Sequence, residues 1–140
     1  MSGSFRVRWL LPFVLVWLAA CSPLRPGEAR IPEGAWISHR AVLIGKSDHD
    51  TVGTISLYQS DEYPVLVFEP NFRVTGAADT VVALGTDGYR PGTALGALLR
   101  PNGRQAYAVP RAFDMRRYNE VWLWSPSVDK PVGIARLTPL

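Results

Sequence analysis

The chain has 140 residues, with a formal net charge of +3, 12 glycines, 12 prolines and one cysteine. Loss of residues 1–20 would remove two arginines from the 15 basic residues and leave 13 against 12 acidic ones, a charge of +1. This weak charge argues against nucleic acid as a partner, which requires a concentrated basic face. A single cysteine excludes an internal disulfide, so burial alone must hold the fold.

The N-terminal segment has the pattern of an export signal. Arg6 and Arg8 precede an apolar run from Trp9 to Ala20, and no acidic residue occurs before Glu28. Because a spanning helix needs about 20 apolar residues, this run is too short to cross a bilayer comfortably. A basic start, a short apolar run and small residues at its end predict a secretory signal peptide over residues 1–20.

The sequence Leu18-Ala19-Ala20-Cys21 resembles the lipobox of bacterial lipoproteins. The resemblance implies cleavage before Cys21 and attachment of a diacylglycerol to its thiol, with acyl chains of the palmitate type. Two or three acyl chains hold a protein on a membrane almost permanently, whereas one binds reversibly. An ordinary signal peptide with an incidental cysteine is the alternative.

Residues 21–35 are rich in proline and glycine and show no apolar period, which predicts a flexible tether. Ser22 follows the cysteine, where an aspartate would favour retention in the inner membrane. By this analogy we expect an extracytoplasmic protein anchored to the bacterial cell membrane, at the outer membrane and facing the periplasm. The membrane is thus the first expected partner.

Residues 36–140 contain short apolar segments separated by turn residues at near-regular spacing, and no helical period. This pattern predicts one all-β domain, an antiparallel β-sandwich or closed barrel of about eight short strands. Arg90-Pro91-Gly92 and Asn102-Gly103 are predicted turns, the second a tight hairpin. Residues 110–118 are predicted to form a connector with one short helical turn. The candidate strands are Trp36–Ile44, Val52–Tyr58, Val65–Phe68, Thr80–Leu84, Ala94–Leu98, Gln105–Val109, Glu120–Trp124 and Val132–Leu137.

An ordered set of short motifs lies between His49 and Leu137. The motifs are His49, Gly53-Thr54, Val67-Phe68-Glu69, Asn71-Phe72, Gly76-Ala77-Ala78-Asp79, Leu95-Gly96-Ala97-Leu98, the segment Gly103 to Pro110, Phe113-Asp114, Tyr118 and Val121-Trp122-Leu123-Trp124. In this order they resemble the DM-thirteen domain, a domain proposed to transfer electrons. The resemblance implies a compact β domain that is exported or anchored.

One departure from that family bears on function. The family carries a cysteine after the strand that corresponds to Val121–Trp124, and this chain has Ser125 there. A hydroxyl cannot perform thiol–disulfide exchange, because that chemistry needs a thiolate. With Cys21 assigned to the anchor, cysteine-based electron transfer is excluded for the domain.

Other chemistry is weakly represented in the sequence. Asp48-His49-Asp50 surrounds an imidazole with carboxylates, but a metal site needs three or four converging ligands, and His39 is the one other imidazole. We therefore expect a structural or turn role for His49 and no metal. The chain lacks a Gly-x-Ser-x-Gly elbow, a phosphate-binding loop and a dinucleotide fingerprint. We expect no catalytic residues and a non-enzymatic protein.

Trp122 and Trp124 share one face of their predicted strand, and two interpretations stay open. The strand is central with both faces buried, or the indoles form a solvent-facing platform for a sugar ring or a protein partner. Arg104 and Arg111 belong to a run of five arginines and one acid between Arg100 and Arg117, which suits either anionic headgroups or a solvated loop. The candidate ligand-binding residues are His49, Asp79, Trp122, Trp124 and Ser125, with Ser125 expected at the mouth of a pocket.

These observations leave two functions. The first is an envelope lipoprotein whose domain is a binding or assembly module for a glycan or an envelope protein. The second is a redox accessory protein that uses a noncovalent cofactor held by His49. The sequence has neither a haem-attachment Cys-x-x-Cys-His nor iron–sulfur cysteines, so we expect no cofactor.

Overall fold

The fold is built from strands in which inward apolar residues alternate with outward residues. In the first strand Ala41 and Leu43 are buried, while Val42 and Ile44 are exposed. Successive side chains of a strand point to opposite faces, so this alternation assigns one face to the core. The computed structural model describes Gly3, residues 28–76 and residues 79–140.

The elements of the described residues are almost all strands. They are β1 (Trp36–Gly45), β2 (Thr51–Val52), β3 (Thr54–Gln59), β4 (Val65–Phe68), β5 (Arg73–Val74), β6 (Val81–Gly85), β7 (Tyr89–Ala97), β8 (Gln105–Ala108), the 3₁₀ helix η1 (Met115–Arg117), β9 (Glu120–Ser125), β10 (Lys130–Arg136) and β11 (Thr138–Pro139). Each of the eight predicted strands has a counterpart, and η1 is the short helical turn expected in the connector. No helix among the described residues is long and apolar enough to span a membrane.

One antiparallel sheet dominates the structure, with strand order β7-β6-β9-β10-β1-β3-β4-β8. Strand β11 pairs with β1, and β2 and β5 form a separate pair. The eight strands curl into a nearly closed, barrel-like or sandwich arrangement. The predicted fold class, all-β with about eight strands, is confirmed.

The remaining gap lies between β7 and β8, the two ends of the sheet, and side chains of β8 bridge it. The backbone N–H of Leu99 donates to the hydroxyl of Tyr107 over 2.9 Å and to Oε1 of Gln105 over 3.1 Å. The Tyr107 hydroxyl in turn donates to Gln105 Oε1 over 2.6 Å, and Gln105 Nε2 donates to the Arg100 carbonyl over 2.9 Å. A buried side-chain network thus replaces a backbone ladder at this junction.

The prediction of a tight hairpin at Asn102-Gly103 is wrong. The strands on either side of these residues do not pair with each other, since β8 pairs with β4. Instead Asn102 forms an isolated bridge with Arg73, and Gly103, at φ +85°, donates its N–H to Phe72. The strand that follows these turn residues therefore pairs with β4, and both of its faces carry buried side chains.

Gly53 divides the predicted strand Val52–Tyr58 into β2 and β3. Its φ is +135°, a conformation that L side chains rarely adopt, and a Cβ atom there would lie 2.7 Å from Cα of Phe72. The backbone of residues 71–72 therefore approaches the chain where a side chain would otherwise stand. Strands β5 and β11 were not predicted, because two-residue strands carry no alternation.

Strand β7 begins at Tyr89 rather than at Ala94, so the predicted turn Arg90-Pro91-Gly92 lies inside a strand. Proline lacks an N–H, and β7 is an edge of the sheet, where that donor is dispensable. The actual turn precedes Tyr89, where Thr86 donates its backbone N–H to the carbonyl of Gly88.

Two apolar clusters hold the domain. The inner cluster includes the T-shaped contacts of Phe68 with Phe72 at 4.8 Å and with Tyr107 at 5.5 Å. The second lies on the outer face of β4 and β8, where Ala29 and Ile31 cover it. It consists of Val65, Val67 and Ala106, with Tyr58 and Tyr63 beside them.

The packing of residues 28–31 corrects the predicted tether over residues 21–35. Ala29 donates its N–H to the carbonyl of Ala106 over 3.0 Å, and Glu28 forms a 2.8 Å ion pair with Arg100. The packed part of the chain therefore includes residues from Glu28 onward, because Ala29 and Ile31 bury apolar surface there. Residues 21–27 lie outside the described residues, as does the predicted signal peptide apart from Gly3.

Candidate functional site

Ser125 and Asp79 form the centre of a small polar site at one end of β9. The Ser125 hydroxyl donates to Oδ1 of Asp79 over 2.8 Å, and the backbone N–H of Ser127 donates to Oδ2 over 2.9 Å. Ser125 is buried, with 6% of its surface exposed, whereas Asp79 is exposed. The carboxylate therefore ties the turn after β9 to the segment before β6.

Strand pairing explains why these two residues meet. Strands β6 and β9 are antiparallel neighbours in which Val81 faces Trp124. Continuing this register by one or two residues brings the segment before Val81 opposite the segment after Trp124. Asp79 adopts φ +49°, a left-handed conformation that aspartate tolerates better than most residues, and its carboxylate reaches the β9–β10 turn.

The hydrogen bonds favour the ionised form of Asp79. Those from Ser125 and then Ser127 lower the pKa of the Asp79 carboxyl below its ordinary value of 3.8. Asp79 thus presents a negative charge to the site at neutral pH. Each of its oxygens accepts one internal hydrogen bond and has capacity for another.

His49 reaches the same site from the loop after β1. Its Nδ1 lies 3.1 Å from the carbonyl oxygen of Thr75, and because a carbonyl only accepts, Nδ1 is the donor. In the neutral ring Nε2 is then left as an acceptor. The loop is a tight turn in which His49 donates its N–H to the Lys46 carbonyl, with Ser47 and Asp48 at φ +51° and +63°. The expected turn role of His49 agrees with this geometry.

These residues border a pocket of about 190 Å³. It is lined by His49, Gly76, Asp79, Ser125, Ser127, Val128 and Val132. Ligand sites for whole small molecules usually enclose about 300–1,000 Å³, so this pocket suits one polar group of a larger ligand. The hydrogen-bonding positions that it offers a ligand are mostly acceptors, namely the carboxylate oxygens of Asp79 and Nε2 of neutral His49. These acceptors match a hydroxyl or ammonium donor.

The arrangement differs from a serine hydrolase triad. In a triad the imidazole bonds the serine hydroxyl and the carboxylate orients the imidazole. Here the carboxylate of Asp79 takes the hydroxyl of Ser125 directly, and the imidazole of His49 is bound to the Thr75 carbonyl. Within residues 28–76 and 79–140 no three His, Cys, Asp or Glu side chains converge as metal ligands.

The structure separates Trp122 and Trp124 from the other candidates. Both lie on the outer face of β9, while Val121, Leu123 and Ser125 occupy the opposite face. Trp124 stacks on Tyr89 with ring centroids 4.3 Å apart and an interplanar angle of 7°. The strand is not buried on both faces, because the two indoles are half-buried. The indoles do not form a fully open aromatic platform either, because Tyr89 covers the ring of Trp124.

The other side chains considered from the sequence lie elsewhere. Nδ1 of His39 is 2.9 Å from the Ser38 hydroxyl, and His39 lines a different groove, with Met115 and Tyr118. Arg111 donates to the carbonyl of Glu62 over 3.0 Å. The arginine run is partly paired internally, since Arg116 lies 3.0 Å from Asp114 and Arg100 binds Glu28. Cys21 lies outside the described residues.

Sequence reasoning did not identify Ser127 or Thr75. Ser127 lies two residues after Ser125, and the two hydroxyl oxygens are 3.5 Å apart. Thr75 acts through its carbonyl, which any residue supplies, so its type carries no signal. No family model matches the sequence, and comparisons with characterised proteins and with solved structures give no match.

Proposed function

We propose that this protein is a lipid-anchored bacterial envelope protein whose domain is a non-enzymatic binding or assembly module. In this proposal the domain is a divergent DM-thirteen-like domain. One observation carries it: Ser125, which the resemblance aligns with that family's cysteine, joins Asp79 and His49 around a small pocket. A hydroxyl held by a carboxylate suits recognition of a polar group and cannot carry electrons.

The ligand class follows from the acceptors of the pocket. An ionised carboxylate and an imidazole acceptor favour a ligand rich in hydroxyl or ammonium donors. A glycan or a polar segment of an envelope protein has such donors. Because the pocket holds only one polar group, we expect most of the ligand to lie on the surrounding surface, with weak affinity for isolated monosaccharides.

Titration of the full-length protein in neutral phosphatidylcholine nanodiscs tests the binding proposal. N-acetylglucosamine and ethanolamine are the probes, and the amide NMR signals of Ser125 and Ser127 are the readout. We expect one of the two probes to shift these signals saturably. Asp79→Asn should weaken the affinity for that probe about tenfold, because it removes one charge-assisted hydrogen bond.

Asp87→Asn is the matched control for this titration, because Asp87 is also an exposed aspartate with positive φ, at +51°, and lies outside the pocket. It should bind as the wild type does. An equal loss of affinity in Asp79→Asn and Asp87→Asn would contradict a donor-binding role for the pocket. The absence of a saturable shift with either probe would contradict it as well.

The anchor is proposed from the sequence of residues 1–21. Mass spectrometry of the membrane fraction should find residues 1–20 removed and Cys21 diacylated. Separation of inner and outer membranes should place the protein in the outer membrane. An intact, unmodified Cys21 in the soluble fraction would disprove the anchor and leave the pocket proposal unaffected.

The redox accessory role stays a second prediction. The acceptor nitrogen of an imidazole can ligate a noncovalent cofactor, and in neutral His49 this nitrogen is Nε2. Protein purified from its own envelope should show no absorption band in the visible range if the first proposal holds. A visible chromophore that His49→Gln removes would favour the redox role.

A further inference from the structure

A second surface, on the outer face of β1 and its neighbour β10, exposes adjacent apolar side chains. On the outer face of β1, 68% of Val42 and 61% of Ile44 are exposed, and Ile44 faces Ile134 of β10, which is only 8% exposed. These residues border a groove of about 610 Å³, a volume in the usual range for a ligand site. Isolated exposed apolar residues are ordinary, but a contiguous set beside a groove indicates a binding surface.

Three cations surround this apolar floor. Arg40 precedes Val42 on the same face of β1, and Arg136 lies beside Val42 because Leu43 pairs with Ala135. Lys46 borders the other end of the groove. From Arg40 to Lys46 the groove follows about 20 Å of strand, at a rise of about 3.3 Å per residue. It therefore has two guanidinium groups at one end and an aliphatic middle.

No ion pair neutralises these cations within the part of the chain that the structure describes. Glu120 stands opposite Arg136 in the β9–β10 ladder, but its Oε1 accepts the backbone N–H of Gly88 over 2.9 Å. Glu69 borders an adjoining groove together with Arg40, and the two form no ion pair. The groove is thus both apolar and net positive.

We infer that this groove binds a single anionic amphiphile, a fatty-acid-type molecule with one carboxylate. The carboxylate would lie between Arg40 and Arg136, where guanidinium groups can bind it in bidentate fashion. The alkyl chain would cover Val42, Ile44 and Ile134. This inference goes beyond the proposed function and does not depend on the Ser125 pocket.

Charge and shape favour this occupant over two others. A second copy of the chain, docked about a twofold axis on the same face, would bring Arg40, Lys46 and Arg136 against the same three cations. A planar bilayer surface would contact the exposed Val42 and Ile44 but would not enter the groove to cover the recessed Ile134. One fatty-acid-type molecule would cover Ile134 with its alkyl chain and place its carboxylate beside the unpaired cations.

Methyl NMR of the full-length protein in phosphatidylcholine nanodiscs tests the inference, with laurate as the probe. Laurate should shift the methyl signals of Ile44 and Ile134 saturably. Dodecanol, which has a chain of the same length without a charge, and acetate, which has a charge without a chain, should bind at least about tenfold more weakly. The variants Arg40→Gln/Arg136→Gln and Val42→Thr/Ile44→Thr should each weaken laurate binding by about tenfold.

Matched controls use exposed residues outside the groove. Arg104→Gln and Val52→Thr should leave laurate binding unchanged, and both lie away from the groove lining. Shifts of the same methyl signals in phosphatidylglycerol nanodiscs without laurate would instead assign the surface to the bilayer. A dimer that Val42→Thr/Ile44→Thr dissociates, or laurate shifts that neither groove variant weakens, would overturn the inference.

Discussion

The hydroxyl of Ser125 donates a hydrogen bond over 2.8 Å to the carboxylate of Asp79, a residue 46 positions earlier in the chain. The pairing of β6 with β9 brings these positions together. The negative charge of Asp79 therefore stands beside Ser125. Such a charge disfavours a thiolate, so the surroundings of Ser125 suit a hydroxyl better than a reactive cysteine.

The variant Ser125→Cys should fold with little loss of stability, because sulfur replaces oxygen without change of branching. Its thiol should have a pKa above the ordinary value, since Asp79 opposes ionisation and the site is buried. At neutral pH its alkylation should be slower than that of a free cysteine. The expected factor is about ten for each unit by which the thiol pKa is raised. Cys21 must be blocked by its lipid or replaced by serine in this assay.

The double variant Ser125→Cys/Asp79→Asn separates charge from burial in the same experiment. Removing the carboxylate should lower the thiol pKa and speed alkylation about tenfold relative to Ser125→Cys. A fast-reacting, low-pKa thiol in the single variant would revive cysteine-type redox chemistry at this position.

Asp79 should contribute stability that depends on acid pH. Its folded-state pKa is lowered, first by the hydrogen bond from Ser125 and then by that from Ser127. A group with a depressed folded pKa stabilises the fold above its unfolded pKa, and the contribution is lost as pH falls through the folded value. Melting temperatures of the wild type and Asp79→Asn should thus differ at neutral pH and converge as the pH falls through the lowered pKa of Asp79. A difference that persists unchanged in acid would contradict this assignment.

Tyr107 should contribute stability that is lost at alkaline pH. Burial raises the pKa of its hydroxyl to about 12. The contribution is complete below the unfolded value of about 10 and disappears as pH rises through the folded value. Tyr107→Phe should therefore flatten the fall in free energy of unfolding between these pH values, as measured by urea denaturation.

At neutral pH Tyr107→Phe should also cost about 1 kcal/mol, because it removes the hydrogen bonds with Gln105 and Leu99 at the β7–β8 junction. Tyr89→Phe is the control, since the Tyr89 hydroxyl makes no hydrogen bond within the described residues. Equal losses in the two variants would show that the junction network adds nothing specific.

Gly53→Ala should destabilise the domain more than Gly88→Ala. The two glycines have nearly the same φ, +135° and +136°, but a Cβ at Gly53 would meet Phe72 Cα at 2.7 Å, whereas nothing lies within 4 Å at Gly88. Both variants carry conformational strain of about 1–3 kcal/mol, and overpacking adds about 1–3 kcal/mol at Gly53. Chemical denaturation that ranks Gly88→Ala as equally or more destabilising would refute the close approach.

Local patterns determined which segments are strands. Val65–Phe68 was predicted with its observed bounds, and Glu120–Trp124 differs from β9 by one residue. The alternation of apolar residues and the turn residues between them act over a few neighbours, so they can be read along the chain. The same patterns predicted η1 inside the connector.

Contacts between distant segments decided the rest. Gly53 interrupts a strand because residues 71–72 approach it, and Asn102-Gly103 makes no hairpin because β8 pairs with β4. These outcomes depend on packing partners far along the chain, which no local pattern specifies.

The same distinction between local patterns and distant contacts applies to the candidate site. The order of residues alone shows that residues 36–140 contain no cysteine, that Ser125 follows an aromatic strand and that Trp122 and Trp124 share a face. Strand pairing in the folded chain brings Asp79 and His49 to Ser125 and leaves the two indoles on the opposite face. The reason is physical: side-chain alternation is a property of one strand, but a pocket forms where separate segments meet, and strand register sets which residues those are.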